Sequence, residues 1–588
     1  MTRHRYDFPF GAQLQDDGAV VFRLWAPTAR RVDLILEDVA APGAGIELPM
    51  NPSDDGWFVL RTHSAGVGAR YRYRLDGESA VPDPASRFQP DDVHGASAVV
   101  DPRAYRWRDT AWRGRPWHET VIYELHVGTF TPRGDFAGVQ ARLDALVALG
   151  VTALELMPIA DFPGRHNWGY DGVLAYAPDS RYGTPDALKA LIDAAHARGL
   201  MVFLDVVYNH FGPEGNYLSR YAPAFFSGEH RTLWGPAFNF DGAESRWVRE
   251  FFIHNALYWL TEFRFDGLRL DAVHAIVDRS TPHFLQELAA RVAAGPGRER
   301  TIHLVLENDA HAAAPGVRAG YAAQWFDPVH HSLHVAITGE RHGYYKNYAE
   351  QPVQHLAAAL VGDTSAAPTA RIVFLQNHDQ VGNRAHGERI GVLAPPAAVA
   401  AAAAIILLAP TIPLLFMGEE CACRRPFPFF CDFDAPLAQA VRDGRRREFA
   451  AFPEFNAGDL PDPNAPATMQ SAVLPASCAH GEAEYYRNLL ALRARFIVPL
   501  LATPWRSARA CALGDNAIAV SWQFADTRLT LLANLGDAPI SLPHAYCGRV
   551  LFASDRRQAP LDFIVLDEVL SPWTVVWLLE SADERSHE

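Results

Sequence analysis

The stretch FDGLRLDAVHAI, Phe265–Ile276, sets a guanidinium and a carboxylate two residues apart inside an apolar run. In a β-strand residues i and i+2 share a face, so Arg269 and Asp271 point one way while Leu268 and Leu270 point the other. Burying charge is costly unless the charge is paired or used. The strand is therefore a structural ion pair or one piece of a catalytic site, and its neighbours decide which.

Seven further segments share its form: TVIYELHV, VTALELMP, LMVFLDVVYNH, TIHLVLEND, AAQWFD, RIVFLQNHD and TIPLLFMGEE. Each is a short apolar run, and between them lie stretches such as DALKALIDAAHARG with apolar residues at helical spacing. Eight βα units in succession predict an α/β fold, a (β/α)8 TIM barrel over residues 106–498, rather than an open sheet. The third connection, about His210 to Arg246, is long and rich in glycine and aromatics, a mark of a functional loop. Residues 1–105 alternate apolar and polar positions between Gly and Pro turns, which predicts an N-terminal β-sandwich ending in the connector VPDPASRFQPDDVHG. Residues 499–588 return to that pattern and predict a C-terminal β-sandwich.

Composition narrows the function. A chain of 588 residues with 49% hydrophobic and 21% charged residues is globular and multidomain. A net charge of −15 argues against nucleic acid and anionic membrane as partners. The cluster RDGRRREF around Arg445 reads as a solvated helix face. The uncharged run Val392–Met417 is cut by Pro395, Pro396, Pro410 and Pro413 into pieces too short to span a bilayer, and reads as a buried helix followed by a strand. Cys421, Cys423 and Cys431 lack a fourth ligand at zinc-site spacing, so the six cysteines read as reduced thiols. With no apolar segment of signal-peptide type near Met1, the expected location is the cytoplasm.

The polar residues share an address. Asn209–His210, Asp271, Glu307 and His378–Asp379 all follow the apolar part of their strands, the end at which this fold builds active sites. Any one acid alone could be a buried ion pair or a helix cap. Three acids on one rim, joined by His210 and His378, point to chemistry instead. Asp271 and Glu307 follow adjacent strands, within reach of the ~5 Å separation that retaining glycoside hydrolysis uses. Arg269 should favour ionised Asp271, whereas burial and two like charges should keep Glu307 protonated.

DVVYNH, GLRLDAVH, LEND and FLQNHD resemble the four short sequence regions of the α-amylase superfamily of retaining glycoside hydrolases. The resemblance implies Asp271 as nucleophile, Glu307 as acid/base and Asp379 as transition-state stabiliser. It also implies substrate contacts from His210, Arg269 and His378, with Tyr170 as a stacking surface beside Trp168. YELHVGTFTPRGDF, VVYNHFGPEGNYL, AQWFDPVHHSLHVAITGE and NHDQVGNRAHGERI resemble one branch of that superfamily over nearly the whole chain. That branch cuts the α-1,4 bond next to the terminal trehalose unit of malto-oligosyltrehalose. It adds His274, Asp327, His330, His331, Gln380 and Asn383 as substrate contacts. It implies an α-1,4-glucan-derived substrate and functional coupling to a malto-oligosyltrehalose-forming enzyme. Many amylases hold calcium, but the long third loop here has no cluster of carboxylates that demands it, so no metal and no cofactor are expected.

Two departures touch fine specificity: Pro328-Val329 stand where the branch has an acid and an aromatic, and Cys421 where an aromatic is usual. Glycogen branching enzyme is an alternative, because it shares the N-terminal sandwich and the same covalent intermediate. A non-catalytic glucan-binding protein on the same fold is another, and the presence of all three acids argues against it.

Overall fold

The computed structural model describes residues 4–38, 45–232, 235–308, 319–449, 460–476, 480–555, 563–566 and 569–581. Its centre is a closed barrel of eight parallel strands in sequential order. They are β1 (Ile122–Leu125), β2 (Ala153–Leu156), β3 (Met201–Val206), β4 (Gly267–Leu270), β5 (His303–Leu306), β6 (Ala323–Trp325), β7 (Arg371–Phe374) and β8 (Ile412–Phe416). All eight lie in the segments expected from the sequence. The lower part of the barrel is filled by Ile122, Ala153, Met201, Phe203, Val305, Ile372, Phe374, Ile412 and Leu414. Continuing that inward set by two residues brings Glu124, Glu155 and Asp205 to the same side, at the level of Arg269. The core thus turns from apolar to charged toward the C-terminal rim.

Asp266 lies below this layer and is fully buried. Its carboxylate accepts from Trp112 Nε1 at 2.8 Å, Arg300 Nη1 at 2.9 Å and the Val202 amide at 2.9 Å, and sits 2.9 Å from His196 Nε2. His196 is itself paired with Asp109, and the two acids hold it above the usual imidazole range against the effect of burial. Removing one member of such a network leaves the others buried and uncompensated. Asp266→Ala should therefore cost about 3–5 kcal/mol, read as a lower apparent Tm, with the activity of the folded fraction unchanged.

Ahead of the barrel stand two four-stranded antiparallel sheets, the first strand beginning at Gly11 and the last ending at Ala98. They press on the third connection. Thr28 donates to Tyr221 O, Trp25 meets Phe225 at 5.6 Å, and Trp57 meets Trp247 edge-on at 5.1 Å. That connection contains the hairpin Phe226–Thr232/Gly235–Phe238 and the helix Ser245–Thr261. After the barrel, a six-stranded antiparallel sheet starts at Trp505, with a separate strand pair Ile540–Ser541/Val569–Leu570. The alanine-rich helix Pro396–Leu408 is buried as expected, and Trp577 of the C-terminal sheet donates to its Ala404 carbonyl. Among the described residues no helix is long and apolar enough to cross a membrane.

Two expectations need correction. Cys421 is disulfide-bonded, while Cys423, Cys431 and Cys511 are free thiols. Arg445 is not a solvated side chain. Its guanidinium sits over the rings of Phe449 (4.6 Å) and Phe429 (5.5 Å) and donates to the carbonyls of Gly382 and Arg384. An arginine can bury its stem and use its planar head in this way, which a charge count along the sequence does not register.

Candidate active site

β4 and β5 end one residue before Asp271 and Glu307. Their backbones stay in register past the sheet: Glu307 donates to Leu270 O at 3.0 Å, and Val273 donates to Glu307 O at 3.0 Å. Between them Ala272 adopts a left-handed conformation, φ 40°. A side chain other than glycine pays for that conformation, and such strain gathers where geometry is demanded. Here it turns the Ala272 amide onto Glu307 Oε2, 2.5 Å away.

Arg269 is wholly buried and organises the acids. Nη1 donates to Asp271 Oδ1 at 2.8 Å and to Asp205 Oδ2 at 2.7 Å, and Nη2 lies 3.7 Å from Glu307 Oε2. The guanidinium rests over the Trp325 ring at 4.1 Å. The other oxygen of Asp271 accepts from Asn209 Nδ2 at 2.8 Å, so both oxygens of this carboxylate are held by donors. Burial pushes Glu307 up to about 8. Asp271 and Asp379 add to the rise, while Arg269 and the Ala272 amide oppose it. A carboxyl in that range is a proton donor near neutrality.

Asp379 does not end a strand. It lies in the first turn of the short helix His378–Gly382, whose preceding Asn377 caps the Asp379 and Gln380 amides. Its side chain is 44% exposed, open to the cleft, and Asn383 Nδ2 donates to it at 3.3 Å. Gln380 accepts from the Asn377 amide and donates to Asp327 Oδ1 at 3.1 Å. His378 is buried, with Nδ1 at 2.5 Å from Glu124 Oε1 and Nε2 at 3.4 Å from Asp379 Oδ1. Burial alone would lower this imidazole, but Asp379 and Glu124 outweigh it and hold the ring up to about 9.

The Tyr170 ring stacks on His378 at 5.1 Å, and its hydroxyl donates to Asp205 at 2.7 Å. His210 pairs with Asn209 and with the Tyr170 carbonyl, and burial keeps it below the usual imidazole range. His274 is exposed on the turn after Asp271. His331, on the helix Asp327–Thr338, faces Tyr344 at 5.2 Å and Tyr348 at 5.1 Å.

The structure sets Trp168 and His330 beneath the cleft. Trp168 is 3% exposed, stacked on Phe427, and so close to Gly382 that a Cβ there would overlap its ring. His330 is 1% exposed, between Leu375 O and the Tyr345 hydroxyl. Val329, at the departure position, is also buried, so the missing aromatic there falls in the packing of the helix.

Four side chains escaped the sequence reading: Glu124, Glu155, Asp205 and Tyr344. Burial keeps Glu155 well above the usual carboxylate range, and Glu124 and Asp205 add to it. Tyr344 is 47% exposed and close enough to feel the charge of Asp379 and Asp327. The acids had a visible signal, a charge inside each of YEL, LEL and LDV.

A closed βα barrel with acids gathered on its C-terminal rim is the architecture of a glycoside hydrolase of the α-amylase class. The family description "Alpha amylase, catalytic domain" matches residues 86–225, "Carbohydrate-binding module 48 (Isoamylase N-terminal domain)" matches 9–102, and a domain of unknown function matches 505–577. The malto-oligosyltrehalose trehalohydrolase of Deinococcus radiodurans is 39% identical over 95% of this chain and 95% of its own length. Those of Rhizobium sp. (strain M-11), 38% over 92% and 94%, and Saccharolobus solfataricus, 41% over 83% and 87%, agree. The chain belongs to the malto-oligosyltrehalose trehalohydrolase family. A solved pullulanase from Anoxybacillus sp. LM18-11, 19% identical with a TM-score of 0.72 over 98% of this chain and 88% of its own, shares the fold.

Proposed function

We propose that the chain hydrolyses the α-1,4 bond that joins a malto-oligosaccharide to a terminal trehalose unit, with retention of configuration. Asp271 attacks the anomeric carbon while Glu307 protonates the departing trehalose oxygen, which leaves a β-glycosyl ester on Asp271. Glu307, now ionised, takes a proton from water. The hydroxide oxygen displaces Asp271 and releases the malto-oligosaccharide as its α-anomer. Asp379, open to the cleft, stabilises the oxocarbenium-like transition state.

The observation that carries this reading is one guanidinium, Arg269, reaching both Asp271 and Glu307, with burial holding Glu307 up to about 8. The nucleophile is kept hydrogen-bonded and the proton donor kept protonated within one charge network. The fit to the trehalose-capped substrate rests on the family relatives. The same reading places the chain in the cytoplasm beside an enzyme that forms malto-oligosyltrehalose, because the substrate must be made from α-glucan before it is cut.

The test offers maltosyltrehalose and plain maltopentaose side by side. Trehalose released from the former, with a kcat/KM at least about tenfold above that for the latter, is expected. Proton NMR should find the malto-oligosaccharide product first as its α-anomer. Equal hydrolysis of uncapped chains, or new α-1,6 branches, would overturn the substrate assignment. An initial β-anomer would overturn retention.

A further inference from the structure

We propose that Glu124, on β1, is a positioning residue for this reaction, whose negative charge keeps His378 an imidazolium aimed through Nε2 at Asp379 and the bound sugar. This rests on the site reading above and extends it to a residue that does not touch substrate.

The geometry is a clamp. Glu124 Oε2 accepts the backbone amide of His378 at 3.1 Å, and Oε1 lies 2.5 Å from its ring Nδ1. Both the start of the helix that carries Asp379 and the orientation of the imidazole are thereby tied past β8 to β1. Glu124 and His378 are each 1% exposed, so neither charge is relaxed by solvent. With Nδ1 committed to Glu124, the ring has only Nε2 left, 3.4 Å from Asp379 Oδ1.

The charged groups around His378 come from several elements. Glu124 stands on β1, Asp379 on the ring's own helix, Glu155 on β2, Asp205 on β3 and Arg269 on β4, with His126 just past β1. Arg269 and burial favour the neutral ring; Asp379 and Glu124 favour the charged one and prevail. The rings of Tyr170, Trp168 and Trp325 complete the surroundings without adding charge.

A glutamine at 124 can accept the His378 amide with its oxygen and turn its NH2 onto an unprotonated Nδ1, so it holds the ring in place only as the neutral Nε2–H form. If the role were structural, Glu124→Gln would leave the pH profile alone. In the wild type burial holds Glu307 up to about 8, while Asp379 and Glu124 hold His378 up to about 9, so Glu307 is expected to set the alkaline limb. In Glu124→Gln the order inverts. His378 becomes neutral first, the limb of kcat/KM for maltosyltrehalose moves down by about one pH unit or more, and kcat at pH 8 falls about tenfold.

His378→Asn should keep the Glu307 limb at a lower rate, and adding Glu124→Gln to it should move nothing further. An unmoved limb in the single variant overturns the proposal, as does a shift that persists without His378. Should Glu124→Gln fail to fold, Glu124→Asp keeps the charge but shortens the arm. It should lower kcat by about tenfold with the limb in place, and wild-type kcat there would overturn the proposal. Turnover that survived Asp271→Asn would strike the site reading alone, since the limb test does not depend on which acid is the nucleophile.

Discussion

Asp271→Asn is expected to lower turnover of maltosyltrehalose by about four orders of magnitude or more in a protein that still folds. Two separate losses combine. An amide oxygen is a poor nucleophile toward an anomeric carbon, so the covalent intermediate does not form. The local hydrogen bonding also turns unfavourable: Asp271 accepts from Arg269 on one oxygen and from Asn209 on the other, and an amide offers one oxygen and one donating NH2. One of the two donors must then face another donor. Circular dichroism and the thermal transition establish that the variant folds, and steady-state rates give the loss. A rate within about tenfold of wild type would sink the assignment of Asp271.

Glu307→Gln carries the second large effect, and its signature lies in pH as well as in rate. Loss of the proton donor should lower kcat by about 10²–10⁴ on the natural substrate. The direction in pH follows from the raised carboxyl. Glu307 must be protonated to donate, its pKa is about 8, and wild-type activity is therefore retained below that value and lost above it. At the ordinary carboxylate value most of the acid form would be gone by neutrality. Glutamine does not titrate, so in the variant the alkaline limb should move up toward the ionisation of His378 near 9. A substrate with a fluoride leaving group, which departs with little protonation, should recover much of the lost rate in the first chemical step. A limb that stays near 8 in Glu307→Gln would assign it to another group.

The barrel was legible because each strand is a short apolar run between helical segments, and because Asn209–His210, Asp271, Glu307 and His378–Asp379 sit past the runs. Asp271 and Glu307 are plain on that ground, each one residue beyond its strand. Glu124, Glu155 and Asp205 were harder. Both faces of a barrel strand are buried, so apolar residues occupy inward and outward positions alike, and a single acid inside the run does not declare which way it points. Closure of the barrel decides this, and closure is a property of all eight strands together.

Trp168 and Tyr170 illustrate a second limit. Two residues apart in one loop, they differ in that the Trp168 ring is held by Phe427 and Gly382, whereas the Tyr170 ring lies on His378 with its hydroxyl anchored to Asp205. Their partners come from residues more than two hundred positions downstream, except Asp205, so local spacing cannot tell packing from binding. The packing of Arg445 was hidden for another reason: a charge count along its helix does not show that Phe449, one turn on, and Phe429 lie under its guanidinium.

The third connection, read from sequence as a long functional loop, is pinned on two sides. Its Tyr221, Phe225 and Trp247 meet Thr28, Trp25 and Trp57 of the N-terminal sheets, while Phe252 of its helix packs on Tyr208 just past β3. To swing aside it would have to part aromatic contacts on both faces, a cost that a lid cannot carry at each turnover. It is a fixed wall on the β3 side of the rim, and the N-terminal sheets are what deny it its freedom.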